Sequence, residues 1–530
     1  MFSSLLRLCS AALIALCSFG SRAAETKAFP FAEATIESLQ QRMNSGELTA
    51  HVLTAAYLQR IAEIDRSGPK LNSVIELNPD ALKIADALDA ERKAGHVRGP
   101  LHGIPILLKD NIATTDAMQT TAGSLALAGL KPTQEALLVI RLRKAGAVIL
   151  GKTNCSEWAN YRSSTSSSGW SGRGRQTHNP YALDRSPSGS SSGSAVAVSA
   201  NLCVAAIGTE TNGSIVSPSS VCSVVGVKPT VGLVSRFGII PISKSQDTAG
   251  PITRTVRDAA IILDAIASAD AVDENTLTPP PEFSWKLSGL QPGALKGVRI
   301  GFVQNPLHFH PRMTPIMKAA AETLRRAGAE VIDVDIPAIT DAGLQSRTVL
   351  SYEFKEGIDA WCAALGPTSP MKSLADIIAF NETHRAEEMP FFAQELMLAS
   401  QARGPTTEKA YIEARETSRK LSREGIDGIM KEQRLDALVA LTTGAAPLTD
   451  LVNGDQSTGG SSTLAAVAGY PSVTVPTGFV FGLPVGLSFF GHAWTETKLM
   501  SFAANYEEQS RARREPTFPR TAALAGPISP

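Results

Sequence analysis

The sequence predicts an α/β fold built as one large domain. Helical patterns alternate with the short apolar runs that are typical of strands, and no internal period indicates an array of repeats. Charged residues make up 19% of the 530 residues and hydrophobic residues 43%. An average protein has about 25% charged residues, so this composition is typical of a chain with a large buried core rather than of a disordered one.

The first predicted elements are an amphipathic helix and then a strand, a helix and a strand. The helix precedes the turn at 66–69 and is predicted from apolar residues at helical spacing, namely Leu53, Tyr57, Leu58, Ile61 and Ile64. Residues 104–108 and 147–150 are short apolar runs bounded by Gly and Pro, and 136–144 is a helical stretch between them. These lengths and boundaries favour the order strand, helix, strand.

The segment 163–193 interrupts this alternation. Its composition shifts abruptly to Ser, Gly, Arg and Asn with few large apolar side chains, and such a composition cannot form a core. We therefore predict a loop. Loops of this length inside a compact domain usually carry function.

The second half of the chain returns to alternating elements. A helix is predicted at 314–327, and helical patterns fill most of 341–424. Strand patterns recur at four places, namely 298–303, 331–336, 435–440 and 473–475. We expect the helices of 341–424 to cover one side of a cleft.

The amino terminus has the order of a secretory signal peptide. Arg7 precedes an apolar run at 8–16, and cleavage after Ala23 would put Ser21 and Ala23 at the two positions that a signal peptidase reads. The apolar run is too short to span a bilayer, which takes about 20 helical residues. We predict a periplasmic or secreted protein with no stable membrane insertion after cleavage.

These boundaries divide the chain into three parts. Residues 1–23 are the predicted signal peptide, and 24–515 are the predicted mature domain. The stretch 516–530 is rich in Pro and Ala, so we predict a tail that is mobile or lies on the surface.

The balance of charge excludes several classes of partner. Lys and Arg number 50, as do Asp and Glu, so the chain has no overall field that would hold nucleic acid or an anionic membrane. Small molecules or peptides are the expected partners, and the oligomeric state is left open. The eight histidines are scattered, and neither a GxxxxGK[ST] phosphate loop nor an HExxH zinc helix occurs, so we expect no metal site.

Export would leave four cysteines in an oxidising compartment, namely Cys155, Cys203, Cys222 and Cys362. No CxxC motif occurs, and the spacing of the four matches no metal site. In so long a chain, scattered cysteines are more often small buried hydrophobic residues than a disulfide framework. We favour buried residues and leave the disulfide state open.

Two serine motifs have the wrong surroundings for the chemistry that they suggest. Gly189, Ser191 and Gly193 fit the GxSxG pattern of a nucleophile elbow, which needs a strand before the serine, but 178–188 contains two prolines and no apolar run. Ser67 and Lys70 fit an SxxK dyad, yet the Gly and Pro between them disfavour the helical turn that would align the two side chains. We interpret the second motif as a turn.

Three ordered segments, 103–110, 188–194 and 208–215, together resemble the amidase signature family. The resemblance continues over nearly the whole mature chain, with further matches at 227–230, 468–471 and 482–487. Within the family it is closest to bacterial peptide amidases, through 76–83 and 245–251. It implies a twisted mixed β-sheet core flanked by α-helices, as in the amidase signature fold.

The resemblance implies a catalytic triad of Ser214 as nucleophile, Ser190 as bridging serine in a cis peptide bond, and Lys109 as base, with no cofactor. The chemistry requires these residue types. A serine hydroxyl attacks poorly unless a base accepts its proton, and an amine accepts a proton only when it is neutral. Burial would lower the pKa of Lys109 from the usual value of about 10.4. Ser190 can accept the proton of Ser214 while it donates its own to Lys109, and can then reverse the transfer to protonate the leaving amine.

The resemblance also implies an oxyanion hole and supporting residues. The backbone N–H groups of four consecutive residues would face the developing oxyanion, namely Thr211, Asn212, Gly213 and Ser214. Gly189, Ser191 and Glu210 are candidate supports of the proton relay and of the loop. Asn212 stands where many members carry Gly or Asp, and Ser192 where many carry Gly, so substrate preference is the property most open to change.

The leading functional hypothesis is hydrolysis of the C-terminal amide of peptides through an acyl-enzyme. Aliphatic, aryl or fatty acid amides are the next class of substrate. A role in transferring ammonia to aminoacyl-tRNA, as one subunit of a larger enzyme, is a different class, which the export signal and the absence of a basic bias disfavour. A noncatalytic binding protein is disfavoured because all three triad residues are present.

Overall fold

The computed structural model describes residues 29–270, 272–273, 279–304, 309–336 and 339–524. The predicted signal peptide at 1–23 and its cleavage site lie outside the described residues, so they stay predictions. The first described residues already belong to the body of the protein, because the ring of Phe29 packs against that of Tyr57 with centroids 5.3 Å apart.

A mixed β-sheet of 11 strands runs through the described residues. Its strands are β1 (Val74–Leu77), β2 (Pro105–Lys109), β3 (Val148–Thr153), β4 (Ala205–Glu210), β5 (Val225–Lys228), β6 (Thr248–Thr253), β7 (Arg299–Val303), β8 (Glu330–Val334), β9 (Ala437–Leu441), β10 (Ser472–Val480) and β11 (Leu483–Phe490). Across the sheet they follow the order β1-β3-β2-β4-β6-β5-β10-β11-β9-β7-β8. Strand β2 is parallel to both of its neighbours, β3 and β4, and β7 is parallel to β8 and β9. The remaining neighbours are antiparallel.

Helices pack around this sheet and are bounded as follows: α1 (Ile36–Asn44), α2 (Ala50–Arg60), α3 (Ala81–Lys93), α4 (Leu137–Lys144), α5 (Ser192–Ser199), α6 (Val216–Val221), α7 (Val256–Ile266), α8 (Thr314–Arg326), α9 (Ile339–Ala364), α10 (Leu374–Thr383), α11 (Arg385–Glu388), α12 (Glu395–Gln401), α13 (Lys409–Glu432), α14 (Ser462–Ala468) and α15 (Glu496–Ser510). Every residue of β2, β3, β4 and β9 is buried. Strands buried on both faces lose the alternation of polar and apolar residues. The predicted α/β class is confirmed.

Most of the predicted elements form close to their expected positions. The predicted strand, helix and strand of 104–150 are β2, α4 and β3, and those of 298–336 are β7, α8 and β8. The first predicted helix is α2, which continues into a π-helical turn at Ile61–Asp65. The helical stretch 341–424 divides into α9 to α13.

The predicted loop 163–193 has no helix or strand until α5 begins at Ser192, but much of it is buried. Polar side chains take the place of a hydrogen-bonded ladder there. The Asn154 amide, for example, donates to the carbonyl oxygens of Gly169 at 3.1 Å and Arg175 at 2.8 Å. A segment with few large apolar residues can therefore lie inside the fold, because its backbone groups find partners.

The predicted tail 516–530 is described over 516–524, where most residues are exposed and the chain is held to the body at a few points. Leu183 and Asp184 donate their backbone N–H groups to the carbonyl oxygens of Pro519 and Arg520, at 2.9 and 3.2 Å. Ala522 is buried in a small apolar cluster. The segment is held because its carbonyl groups satisfy donors of the buried loop, which its composition does not reveal.

The four cysteines of the described chain are buried and free. This confirms the interpretation of Cys155, Cys203, Cys222 and Cys362 as small buried hydrophobic residues. None of the helices within the described ranges is long and apolar enough to cross a membrane.

Candidate active site

The sheet topology brings the predicted site residues to one edge. Lys109 is the last residue of β2, and the loop that carries Ser214 follows β4. Because β2 and β4 are adjacent and parallel, their carboxyl ends lie at the same edge of the sheet. Ser190 lies just before α5, and α5 packs on both strands.

Lys109 is fully buried and is held by three hydrogen bonds. Its Nζ donates to Ser190 Oγ at 2.7 Å, to Thr209 Oγ1 at 2.8 Å and to the Thr209 carbonyl oxygen at 3.3 Å. Burial lowers the pKa of Lys109 from 10.5 to about 8. A lysine with this pKa has an appreciable neutral fraction near neutral pH, and a neutral amine can accept a proton.

Burial of a lysine is not by itself the distinguishing feature of this site. Burial also lowers the pKa values of Lys152 and Lys228 to about 8. Lys152 donates to the Ile112 carbonyl oxygen and to Thr120, and Lys228 donates to a backbone carbonyl oxygen. Only the first of the three buried lysines, Lys109, is hydrogen-bonded to a serine hydroxyl in the described structure.

Ser190 is buried and follows a cis peptide bond from Gly189. Its carbonyl oxygen accepts the N–H of Ser156 at 3.1 Å. A Cβ atom added at Gly189 would fall against the hydroxyl groups of Ser156 and Ser168, so only glycine fits this position. The fit of Gly189 therefore keeps the Ser190 loop close to the segment around Ser156.

Ser191 joins the loop of Ser190 to the loop of Ser214. Its N–H donates to the Ser214 carbonyl oxygen at 3.1 Å. Its hydroxyl donates to the Thr209 carbonyl oxygen at 3.0 Å and accepts the Thr209 N–H at 3.2 Å. Ser191 thus contacts the two chain segments that would have to stay in register for a proton relay.

Ser214 lies between β4 and α6 and is 8% exposed. Within the described residues its hydroxyl has no hydrogen bond to Ser190, so the structure joins Lys109 to Ser190 and brings Ser214 beside them through the backbone of Ser191. In enzymes without substrate, catalytic hydrogen bonds are often long and shorten when substrate binds.

The Glu210 carboxylate holds the Ser214 loop through three backbone hydrogen bonds. These bonds show that one prediction is wrong. The carboxylate accepts the N–H groups of Gly213 and Ile215 at 2.8 Å and that of Val216 at 3.0 Å. The N–H of Gly213 is therefore already engaged and is not a free oxyanion donor in this structure. The other three predicted donors, Thr211, Asn212 and Ser214, have backbone N–H groups without an acceptor among the described residues.

Thr209 and Asn111 are site residues that the sequence analysis missed. Thr209 Oγ1 accepts both Lys109 Nζ and Asn111 Nδ2, the second at 3.0 Å. Both residues lie inside or beside motifs already singled out: Thr209 precedes Glu210 by one position, and Asn111 follows Lys109 by two. The signal available in the sequence was the place of both residues next to the motif residues. In the structure Thr209 lies on a fully buried strand.

A cavity of about 390 Å³ is lined in part by Thr209 and Asn111. Thr209 and Thr211 contribute to one wall, and Gly357, Ala360 and Trp361 of α9 contribute to another. The helical stretch 341–424 thus supplies part of a cleft wall, as the sequence predicted. No group of three or more His, Cys, Asp or Glu side chains in the described ranges could hold a metal ion.

Comparison with known proteins points to the same family as the site. The amidase family matches residues 52–500. A probable amidase of Arabidopsis thaliana is 42% identical over 528 residues, with 97% of each chain covered. A glutamyl-tRNA(Gln) amidotransferase component from a Synechococcus strain is 33% identical over 495 residues, which cover 91% of this chain and 93% of that relative.

A solved structure is more similar still. The native peptide amidase from Stenotrophomonas maltophilia has 54% sequence identity and a TM-score of 0.89, and the match covers 92% of this chain and 99% of that chain. The resemblance predicted from 103–110, 188–194 and 208–215 is therefore confirmed, together with the fold that it implied.

Proposed function

This chain belongs to the amidase family and is an amide hydrolase, and on that premise we propose that it removes the C-terminal amide of peptides through an acyl-enzyme on Ser214. The observation that carries the catalytic assignment is the 2.7 Å hydrogen bond from Lys109 to Ser190, made by a lysine whose pKa is lowered to about 8. The peptide substrate is supported by the 54% identity to a peptide amidase, against 33% to an amidotransferase component.

In the acylation step, neutral Lys109 accepts the Ser190 proton while Ser190 accepts the proton of Ser214. The Ser214 oxygen attacks the amide carbonyl carbon, and the tetrahedral intermediate carries its charge on the former carbonyl oxygen. In this proposal the N–H groups of Thr211, Asn212 and Ser214 stabilise that oxygen, and one such donor is typically worth about a hundredfold to a thousandfold in kcat.

Collapse of the intermediate releases ammonia, which takes its proton from Ser190 as Lys109 returns one proton to the relay. A water molecule then repeats the attack on the ester carbonyl of the acyl-enzyme, with the relay running in the same two directions. The carboxylic acid is released and Ser214 is restored. The protein side chains balance every proton in this cycle, so the proposal requires no cofactor.

The experiment is ammonia release by the purified protein from an N-blocked peptide amide and from a simple aryl amide. We expect the peptide amide to be preferred, and Ser214→Ala and Lys109→Met to abolish turnover of both. Lys152→Met is the matched control, because it removes a buried lysine of similarly lowered pKa that has no serine partner. It should remain active once folding is verified by circular dichroism.

The other outcomes separate the alternatives. Turnover of the aryl amide alone would keep the Ser214 assignment and replace the peptide substrate with simple amides. Full activity of Ser214→Ala would overturn the catalytic assignment. If neither amide is hydrolysed and partner proteins co-purify with the chain, the amidotransferase role would be favoured. If a serine-directed phosphonate does not label Ser214, a noncatalytic binding protein would be favoured.

We propose in addition that the protein is exported and acts in the periplasm or outside the cell. The support is the sequence before Ala24, with Arg7, the apolar run at 8–16 and the small residues Ser21 and Ala23. Amino-terminal sequencing of the protein from a cell fraction tests this: a mature chain that starts at Ala24 outside the cytoplasm is expected. An uncut chain in the cytoplasm would refute export.

A further inference from the structure

The loop 211–214 is held from the sheet side and also from the helical side. On the sheet side, Glu210 binds the N–H of Gly213, and Thr211 Oγ1 donates to Asp247 Oδ1 at 2.6 Å. On the helical side, two separate hydrogen-bonded connections reach the loop, one from α14 and one from α9. Neither helix contributes a member of the proposed triad.

The first connection ends on the side chain of Asn212. Ser462, at the start of α14, donates its hydroxyl to Asn212 Oδ1 at 2.8 Å, and Asn212 Nδ2 donates to Thr463 Oγ1 at 3.3 Å. The fit at the neighbouring residue is close, because a Cβ atom added at Gly213 would lie 3.0 Å from Ser462 Oγ. Asn212 is the position at which this chain departs from the Gly or Asp of many family members.

The second connection ends on the backbone of Thr211. Ser346, on α9, donates its hydroxyl to Gln246 Oε1 at 2.7 Å, and Gln246 Nε2 donates to the Thr211 carbonyl oxygen at 3.3 Å. Gln246 and Ser346 are 2% and 3% exposed. A buried amide with both ends bonded has one preferred orientation, so this connection fixes the peptide plane between Thr211 and Asn212.

That peptide plane carries the free N–H of Asn212, and the next free N–H belongs to Ser214. An oxyanion donor is effective only when it points at the place where charge develops, and a small misplacement costs much of its effect. The two hydrogen-bonded connections hold the loop on either side of these N–H donors. Their loss should therefore weaken stabilisation of the transition state more than it weakens substrate binding.

We propose that Ser346 and Ser462 are positioning residues of the amide hydrolysis, which hold the two sides of loop 211–214 from α9 and α14. The inference rests on the proposed function, because it assigns them to the oxyanion loop of Ser214. Within the described structure neither serine hydroxyl is hydrogen-bonded to Lys109, Ser190 or Ser214; Ser462 bonds Asn212 and Ser346 bonds Gln246. Each acts through an amide side chain, Gln246 for Ser346 and Asn212 for Ser462.

The test compares Ser462→Ala, Ser346→Ala and the double variant in steady-state hydrolysis of a peptide amide. Loss of each hydroxyl should lower kcat about threefold to tenfold, with KM within about twofold of the wild type, because the interaction matters mainly in the transition state. The double variant should depart from the product of the two single effects, since both serines hold the same loop.

Rescue and control variants separate positioning from a merely structural role. Ser462→Thr keeps the hydroxyl at a partly exposed position and should restore most of kcat. Ser418→Ala is the matched control, since Ser418 is a buried helical serine that bonds only its own helix, at the carbonyl oxygen of Arg415. It should leave kcat unchanged.

Unchanged kcat in both alanine variants, while Ser214→Ala is inactive, would overturn this proposal and leave the proposed function standing. An active Ser214→Ala would overturn the proposed function itself. If the buried Ser346→Ala fails to fold, the pair Ser462→Ala and Ser462→Thr decides the question: equal kcat values in the two would refute the role.

Discussion

At the residue scale, the proposed chemistry of the site depends on removing one lysine from water. Lys109 is fully buried, and among the described residues its hydrogen-bond partners are hydroxyl and carbonyl groups, so its charged form is poorly solvated. The pKa falls to about 8 for this reason. A protein can thus obtain a base near neutral pH from a residue that is ordinarily an acid there.

The lowered pKa of Lys109 predicts a definite pH dependence. Because the base must be neutral, kcat/KM should rise about tenfold per pH unit below about pH 8 and level off above it. A pH profile of kcat/KM for a peptide amide measures this. Lys109→Arg should be inactive at every pH, since a guanidinium stays protonated. A profile that is flat or falls through this range would contradict the assignment.

Glu210 predicts a second effect at a single residue. Glu210→Gln keeps the shape but replaces one carboxylate oxygen with an NH₂ group, which cannot accept the N–H of Gly213 or Ile215. We expect kcat to fall more than about tenfold and the free energy of unfolding to fall by about 1.5 to 3 kcal/mol. Denaturant unfolding and steady-state kinetics measure the two effects.

The control for Glu210 is Glu413→Gln, a solvent-exposed residue on α13 that lies 3.5 Å from Lys409. Its removal should change the free energy of unfolding by less than about 0.5 kcal/mol and leave kcat unchanged. Wild-type kcat in Glu210→Gln would show that the loop keeps its conformation without the carboxylate.

The sequence identified the candidate triad because three motifs occur in order, but it could not show how hydrogen bonds are shared. Gly213 was expected to offer its N–H to the oxyanion, and the structure gives that N–H to Glu210. Thr209 and Asn111 were missed because a threonine on a strand and an asparagine after it have no distinctive pattern. Which groups share a hydrogen bond depends on distances in the folded chain. The spacing of residues within a motif does not encode those distances.

At the scale of elements, the parts predicted well are those with clear boundaries. β2 and β3 correspond to short apolar runs bounded by Gly and Pro, α4 is the helical stretch between them, and all three are visible in the sequence. β4 and β6 were not predicted, because their Gly, Thr and Pro residues give no apolar run and burial on both faces removes any alternation. The sheet therefore has more strands than the sequence patterns alone indicate.

The packing of the Ser190 loop against its neighbours predicts a selective effect of Gly189→Ala. The added methyl group would meet the hydroxyl groups of Ser156 and Ser168, so the loop that carries Ser190 must shift. We expect kcat to fall at least about a hundredfold, because a relay depends on close alignment of its hydroxyl groups. Steady-state kinetics and a check of folding by circular dichroism measure this.

Gly428→Ala provides the comparison for Gly189. Gly428 lies on α13, and a Cβ atom added there meets nothing within 4 Å. Alanine favours a helix by about 1 kcal/mol over glycine, so this variant should be as stable as the wild type or more stable, with unchanged kcat. Equal activity of the two glycine variants would refute the steric argument for Gly189.

At the scale of the whole molecule, segments near both ends of the described chain are fastened to the same body. Arg513 forms an ion pair with Glu33 at 2.6 Å and donates to the carbonyl oxygens of Ser223 and Ser199 at 2.6 and 3.1 Å. The described end of the chain then continues past Pro519 along the buried loop. The described segments around Glu33 and Arg513 thus contribute contacts to the fold.

Removal of 516–530 should therefore lower stability. The truncation deletes the carbonyl acceptors of Leu183 and Asp184 and exposes the pocket of Ala522. We expect the thermal midpoint to fall by roughly a few degrees. Differential scanning calorimetry of the truncated and full chains measures this. An unchanged midpoint would show that the segment packs without stabilising the body.

The parallel pairing of β2 with β4 has a consequence for how the protein is followed as it folds. Ile106 pairs with Ala205 and Leu108 with Ile207, which joins positions about a hundred residues apart along the chain. Such distant contacts form slowly, because the loop between them must first be closed at an entropic cost. Recovery of hydrolysis after dilution from denaturant should then lag behind recovery of overall helix content, because hydrolysis requires this distant pairing together with the rest of the site.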